Sequence, residues 1–404
     1  MLECLQGDKN LGIDPGSRRR RVALALAIAL ALGGCYDPVS RGPSGPPVFY
    51  PRPPDAPRVQ FLTAINTSRD IARERTGFGK LFLGAVDAFA ESDALKQPYG
   101  VATWQGKVYV ADRTGGDVKV FDLKQNRYSL LSGRSGVMAE PTNLCIDRDG
   151  YKFIVESMRK MIHVFDPADA YLTTFRVKDG RPGGVAVVGK ELFVTDVTGD
   201  RILVLDRSTG KEIRTFGTKG KGPGQFLMPN AIAADGNGYL YVSDQMNCRF
   251  QKLDTSGKPL LAAGEPGDSY GAFARPRGIA VGPDGVVYVV ESEFEIVQMF
   301  SQEGKVLMGL GNFHARPGFL ELPAGVAVDK TCLPYFQKYI DPRFEPEYLV
   351  FVVSQVGATR VGVYAFGNFK EGAELPVVPP PSAEATPPEK KPAAAAAPKS
   401  PPAK

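Results

Sequence analysis

Five acidic residues recur at nearly equal intervals along the chain, each closing a short β-branched or aromatic run. They are Asp112, Glu156, Asp196, Asp244 and Glu291. Carboxylates gathered around one centre could hold a divalent metal or act as general acid and base. A catalytic acid should differ from its copies, whereas these occupy the same place in each repeat. The recurrence therefore favours a structural role, in which each carboxylate accepts backbone N–H groups at a turn.

Imidazole and thiol groups are scarce and are not grouped. The sequence has only two histidines, His163 and His314, and His163 lies in an alternating strand-like run that predicts a structural role. Cys145 and Cys248 also lie in or next to strand-like runs and are expected to pack in the core. Cys332 lies in a longer insertion and is a candidate reactive thiol. The cysteine spacing predicts neither a disulfide framework nor covalently attached haem, and we expect no cofactor.

The elements that carry these residues repeat with a fixed period. Each unit opens with a proline followed by a short apolar run, and the prolines are Pro98, Pro141, Pro182, Pro229, Pro276 and Pro323. The steps between them are 43, 41, 47, 47 and 47 residues. A period in this range is typical of a solenoid or a propeller.

Strand patterns fill every unit. The opening run is followed by a polar turn such as Asn237-Gly238, then by a β-branched run ending in an acid, such as residues 108–112. A third alternating run follows, for example residues 118–122, and a fourth ends at glycine, as in residues 213–217. Four short antiparallel strands in about 45 residues make one propeller blade.

The consensus of these units is Pro-x-Gly-Ile/Val-Ala-Val, then Asp-Gly-x-Val-Tyr-Val-x-Asp/Glu, then Arg-Ile-x-Val-Phe-Asp, and it resembles the NHL repeat. The resemblance covers roughly residues 95–370 and is strongest in the third to fifth units. It implies an all-β fold, a six-bladed propeller of four-stranded antiparallel blades. It says little about function, because this fold serves enzymes, RNA-binding proteins and scaffolds.

The ends of the repeat region predict how the ring closes. The last unit ends with the strand-like residues 360–366 and lacks an outer strand, while residues 59–65 form an isolated strand-like run before the first unit. Pairing these two segments would remove an exposed sheet edge. Residues 68–94 then lead into blade one, and we expect them to be partly helical and partly a strand of that blade.

A propeller brings the turns between its second and third strands to the mouth of its axis. The resemblance therefore places on that face a set of polar side chains: Tyr99, Arg113, Asn143, Arg159, Asn230, Asn247, Arg277, Glu293 and Gln355. Arg113, Arg159 and Arg277 are candidate partner-binding residues there. By resemblance to lactonase-like propellers, a weaker alternative is a calcium or zinc site for a hydrolase or lyase, held by Asn143, Asn230 and His314.

The N-terminal residues predict export and lipidation. Arg18–Arg21 precede eleven apolar residues, and Leu32-Gly33-Gly34-Cys35 follows. This arrangement of charged, apolar and small-residue regions is typical of a signal peptide, and its end resembles a bacterial lipobox. We therefore expect cleavage before Cys35, lipidation of that residue and anchoring in a cell envelope membrane, with the outer membrane favoured by Tyr36. A plain secretory signal is the alternative.

Composition predicts the remaining domain boundaries. Residues 1–34 form the signal peptide, residues 35–56 a Pro-rich tether, residues 57–371 the propeller, and residues 372–404 a disordered Pro/Ala/Lys tail. The net charge of +5 is small for 404 residues. Apart from the signal arginines, no basic run is longer than two residues, as at Lys390-Lys391 in the tail, and nucleic acid is not an expected partner.

One unit departs from the repeat. About eighteen extra residues, 330–347, interrupt the sixth unit. They carry Tyr335, Phe336, Tyr339 and Phe344 among basic residues, a composition enriched at protein interfaces. These four are candidate partner-binding residues, and the alternative is that they fold back onto the blade. The sequence thus predicts a lipid-anchored, non-catalytic binding propeller whose partner is an envelope protein complex or glycan.

Overall fold

The structure is a computed structural model, and it describes residues 46–51, 55–71, 93–132, 138–311 and 317–375. Its strands form six sheets arranged as the blades of a propeller, together with a short parallel pair. The six-bladed all-β prediction is therefore confirmed. No helix in the described ranges is long and apolar enough to cross a bilayer.

The described part of the chain begins with two strands that precede the first blade and join the last. These are β1 (Val48–Tyr50) and β2 (Val59–Ile65), and a 3-10 helix, Ser68–Ile71, follows them. Blade one contains β3 (Pro98–Trp104), β4 (Lys107–Asp112), β5 (Asp117–Asp122) and β6 (Arg127–Leu131). Blade two contains β7 (Pro141–Ile146), β8 (Lys152–Glu156), β9 (Met161–Phe165) and β10 (Tyr171–Arg176). Blade three contains β11 (Pro182–Val188), β12 (Glu191–Asp196), β13 (Arg201–Asp206) and β14 (Glu212–Phe216).

The second half of the ring follows the same plan with longer connections. The parallel pair β15 (Thr218–Lys219) and β16 (Gln225–Phe226) leads into blade four, whose strands are β17 (Pro229–Ala234), β18 (Leu240–Asp244), β19 (Arg249–Leu253) and β20 (Pro259–Ala263). A one-turn 3-10 helix, Gln245–Asn247, joins β18 to β19. Blade five contains β21 (Pro276–Val281), β22 (Val287–Glu291), β23 (Ile296–Phe300) and β24 (Val306–Leu310). Blade six contains β25 (Pro323–Asp329), a 3-10 helix at Leu333–Tyr339, β26 (Phe344–Ser354) and β27 (Val361–Phe369).

Each repeat proline opens the innermost strand of a blade, where it begins a strand and needs no ladder partner. The innermost strands contact one another in the cyclic order β3, β7, β11, β17, β21, β25 and again β3. Separate clusters of buried apolar side chains lie at the contacts between adjacent blades, for example Phe153, Val155, Leu192 and Val194 between blades two and three. The core is therefore divided among the blade interfaces.

The ring closes through pairing of the two ends of the propeller, as predicted. β2 runs antiparallel to β27, with Val59 opposite Phe366 and Ile65 opposite Val361. The structure departs from the prediction of a strand-free tether at Val48–Tyr50, because β1 pairs with β2 and gives blade six a fifth strand. Phe49 drives this pairing, since its ring is buried against Phe369 at 4.9 Å between centroids.

Among the described residues, blade one takes its four strands from residues 98–131, and neither residues 68–71 nor residues 93–94 add a strand to that sheet. The helical part of that prediction matches the 3-10 helix at Ser68–Ile71, and residues 72–92 lie outside the described residues. The predicted signal peptide, Cys35 and most of the tail also lie outside them.

Candidate binding face at the axial mouth

The five recurring acids are buried and fasten the connections that enter each blade. All five are fully shielded from solvent. Asp112 accepts backbone N–H groups from Lys96 and Gln97, both at 2.8 Å, and also one from Gly115 in the following turn. Glu291 does the same for Ala274 and Arg275. The predicted role at the following turn is confirmed for Asp112, Asp196 and Glu291. In addition, all five acids accept a backbone N–H group from the connection that enters their blade.

The remaining acids add side-chain donors to this pattern. His163 places its Nε2 2.8 Å from Glu156 and its Nδ1 2.9 Å from Thr174, so its predicted structural role is confirmed. Although burial opposes it, the His163 hydrogen bond and two backbone N–H groups lower the pKa of Glu156. Blade six has Ser354 at the corresponding position, where its hydroxyl accepts the Glu321 N–H at 3.2 Å.

The recurring acids fix the connections that enter the blades and the turns that follow the second strands. The side chains on these loops therefore form a defined rim around the axis. The rim encloses a cavity of about 680 Å³, which we call the axial mouth. Tyr99, Arg113, Asn230, Arg277 and Glu293 line it, as predicted for that face.

The other predicted rim residues lie elsewhere. Asn143 lines the channel below the mouth, where its amide oxygen accepts the Leu144 N–H at 2.8 Å. Arg159 does not line the mouth and instead lies 3.5 Å from Glu156. Asn247 and Gln355 use their amide groups to donate to Gly220 and Leu322 in neighbouring connections.

Sequence reasoning missed several residues of the mouth. Arg181 and Arg275 precede the repeat prolines, and Met158 and Met246 follow the recurring acids by two positions. The repeat alignment could have identified both kinds of position, the residue before each repeat proline and the second residue after each acid, because the acids anchor the loops that carry them. The methionines are unusually exposed for apolar side chains, at 64% and 55%. The mouth thus combines adaptable apolar contacts with a basic lining.

Arg277 of blade five reaches past blade six to contact blade one. It lies at the start of β21 in blade five, and its Nη1 donates to the Tyr99 hydroxyl of blade one at 2.6 Å. Its guanidinium carbon lies 5.3 Å from the centre of the Tyr99 ring. The corresponding residue of the intervening blade is Ala324, whose short side chain leaves room for this contact. Arg277 Nε is enclosed and has no hydrogen-bond partner among the described residues.

The channel beneath the mouth is narrow and lined mainly by short side chains and backbone. Its volume is about 260 Å³, and Tyr99 and Asn230 line both the channel and the mouth. Over the ranges that the structure describes, no group of three or more His, Cys, Asp or Glu side chains is placed to hold a metal. His314, the third member of the alternative metal set, lies outside those ranges.

A second cavity, of about 550 Å³, lies at the opposite end of the channel. Its principal cation, Arg207, is ion-paired with Asp147 at 3.0 Å and Asp149 at 2.9 Å. At the axial mouth, Arg113 lies 3.6 Å from Glu140, whereas Arg181, Arg275 and Arg277 form no ion pair with any described residue. The axial mouth therefore has more unneutralised charge to offer a ligand.

The blade-six insertion packs against the propeller. Phe336 is only 4% exposed and packs edge-on against Phe351, with 6.1 Å between ring centroids. Phe344 is also buried, next to Phe49. A partner cannot reach these two rings without displacing the insertion. Phe336 and Phe344 are therefore no longer candidate binding residues.

Tyr335 and Tyr339 are half-buried and hold the insertion to its neighbours. The Tyr335 ring lies so close to Gly106 of blade one that a Cβ there would approach it to 2.8 Å. The Tyr339 carbonyl accepts a hydrogen bond from Gln60 of β2 at 2.9 Å. Cys332 is buried beside them, and burial raises the pKa of its thiol, which opposes the reactivity expected from its place in an insertion.

Fold and site together define a six-bladed propeller with a basic axial mouth, and comparisons with known proteins agree on the fold. A family model described as a 6-bladed beta-propeller matches residues 170–261. A protein of unknown function from Bacteroides thetaiotaomicron is 16% identical, with 68% of this chain and 70% of that chain covered and a TM-score of 0.51.

Two lyases are among the similar solved structures. For a streptogramin B lyase, the identity is 16%, the coverage is 67% of this chain and 94% of that chain, and the TM-score is 0.47. For virginiamycin B lyase from Staphylococcus aureus, the corresponding values are 17%, 66%, 80% and 0.46.

Proposed function

We propose that this protein is an NHL-repeat propeller lipoprotein, anchored through Cys35, that binds an envelope macromolecule at its axial mouth and catalyses no reaction. The observation that carries the binding proposal is the composition of the mouth. Arginines without ion-pair partners among the described residues lie beside two exposed methionines, Met158 and Met246. Contacts that combine charge with adaptable apolar surface suit recognition of another macromolecule.

The lipid anchor is proposed from the sequence. The lipobox-like residues ending at Cys35 would leave the lipidated end separated from the propeller by the Pro-rich residues that follow. Two or more acyl chains on one residue suffice for stable anchoring. The propeller would then be held near the membrane, where its partner would be an envelope protein complex or a glycan.

Site-specific crosslinking in intact cells tests the binding proposal. A benzophenone amino acid is placed at Met158 or Met246 in the full-length protein, and at Leu172 as a control. Leu172 is 49% exposed but lies on β10, the outer strand of blade two. We expect both positions at the mouth to give the same adduct and Leu172 to give none. Adducts at Leu172 alone, or at no position, would contradict binding at the mouth.

A further inference from the structure

Resting on the proposed function, we propose that Arg277 forms a carboxylate subsite that receives an acidic side chain from a protein partner. The inference starts from how firmly its guanidinium is held. The Tyr99 hydroxyl accepts from Nη1 at 2.6 Å, and the Tyr99 ring lies beneath the cation at 5.3 Å. An arginine fixed in this way loses little side-chain entropy when a ligand binds.

The remaining donors of Arg277 lack acceptors. Nε has no hydrogen-bond partner among the described residues, and no carboxylate in the described structure is paired with this guanidinium. A carboxylate matches the two parallel N–H groups on the Nε side of a guanidinium. Because Nε is enclosed, the available pair of donors is at the Nη1–Nη2 edge, which can meet a carboxylate in the same parallel way while Nη1 keeps its hydrogen bond to Tyr99. Binding an acid there would give an acceptor to Nη2, which donates to no described residue.

The surroundings favour the same ligand charge. Four arginines line the mouth and only two acids do, and one of those acids, Glu140, is next to Arg113. Arg181 and Arg275 add positive potential without an ion pair in the described structure. Glu293 is the remaining acid, and its negative charge offsets only part of this excess of positive charge.

The apolar rim indicates that the acid belongs to a protein. Met158 and Met246 offer exposed, adaptable contacts to the side chains that would flank the acidic residue. A glycan would instead need an open aromatic face for stacking. The aromatic ring that lines the mouth belongs to Tyr99, and Arg277 covers it. A neutral sugar would therefore find neither a stacking surface nor a matching charge.

Titration of small peptides against the full-length protein tests this subsite directly. With arginine labelled at Nε by nitrogen-15, the NMR signal of Arg277 is followed as acetyl-Met-Glu-Met-amide is added. The control peptide, acetyl-Met-Gln-Met-amide, has the same size without the charge. We expect a saturable shift at millimolar concentrations with the acidic peptide only. We also expect it to weaken at high salt and below about pH 4, where the glutamate becomes protonated.

Variants assign the effect to this residue. Arg277→Gln should weaken binding at least about ten-fold, and Arg277→Lys should restore only part of it, because an ammonium lacks the paired donors. Tyr99→Phe should weaken binding a few-fold while the protein stays folded. Arg159→Gln, outside the mouth, should change nothing. Equal binding of the two peptides, or full binding by Arg277→Gln, would overturn the subsite.

Three further results show how this inference stands to the proposed function. If inorganic phosphate displaces the acidic peptide at equal concentration, the site takes small anions and the assignment to a protein side chain is wrong. If crosslinking at Met158 succeeds while Arg277→Gln leaves the same adduct undiminished, the mouth binds a partner without this subsite. If both crosslinking and peptide binding fail, the proposed function and the inference fall together.

Discussion

Removal of the closing strand should destabilise the whole propeller. β2 lies between β27 and β1, and four of its apolar side chains are buried: Val59, Phe61, Leu62 and Ile65. Burial of each contributes about 1.5–3 kcal/mol, or about 6–12 kcal/mol together. Deletion of residues 57–66 would also free β1 and leave unpaired those backbone groups of β27 that face β2. Since whole domains are stable by only about 5–15 kcal/mol, this deletion should consume most of the free energy of unfolding.

Thermal and urea melts followed by circular dichroism measure this effect. Deletion of residues 376–404, whose composition can bury little, provides the comparison and should leave the melting temperature unchanged. A synthetic peptide of residues 57–66 should raise the melting temperature of the first deletion by adding the missing strand, whereas a scrambled peptide should not. Equal melting temperatures for the two deletions would refute closure through β2.

Four further outcomes are expected. Cys35→Ser should release the protein from the membrane fraction or leave a precursor, and failure of the wild type to incorporate labelled palmitate would contradict lipidation. Phe336→Ala should lower the free energy of unfolding by about 3–5 kcal/mol in urea melts, because the ring is buried, while crosslinking at Met158 persists. A chelator should change neither the melting temperature nor crosslinking, and stoichiometric calcium or zinc in elemental analysis would instead support the metal-hydrolase alternative. Because the pKa of Glu156 is lower in the folded state, its carboxylate stabilises the fold at pH values above the unfolded-state pKa of about 4.3. This stabilisation is lost as pH falls through the folded-state pKa. Glu156→Gln should therefore make stability depend less on pH on the acid side of the profile.

The sequence predicted those features that a local pattern carries. The proline that opens each unit, the acid that closes each second strand and the isolated run at residues 59–65 are local signals, and each has a direct structural consequence. β1 was missed because Val48–Tyr50 is short and lies among prolines, where composition predicts an extended tether. Its stability comes from Phe49, whose partner Phe369 lies at the other end of the propeller.

The candidate site was predicted less completely, because its geometry depends on the positions at which the repeats carry different residues. The sequence placed Arg277 and Tyr99 on one face. Their contact, however, joins residues 178 positions apart and requires a small residue at Ala324 between them. Likewise, the burial of Phe336 depends on the fit of the insertion against β26, which composition alone cannot distinguish from an exposed interface.

The contrast between repeated and unrepeated positions indicates where function resides in this ring. The buried acids are nearly uniform, and they satisfy the same structural need in five blades by fastening the loops. The position after each repeat proline varies from blade to blade: Tyr99, Thr142, Gly183, Asn230, Arg277 and Ala324. A purely structural position would be under the same constraint in every blade. The ring therefore uses uniform acids to hold its loops in place and non-uniform neighbours to make an asymmetric mouth.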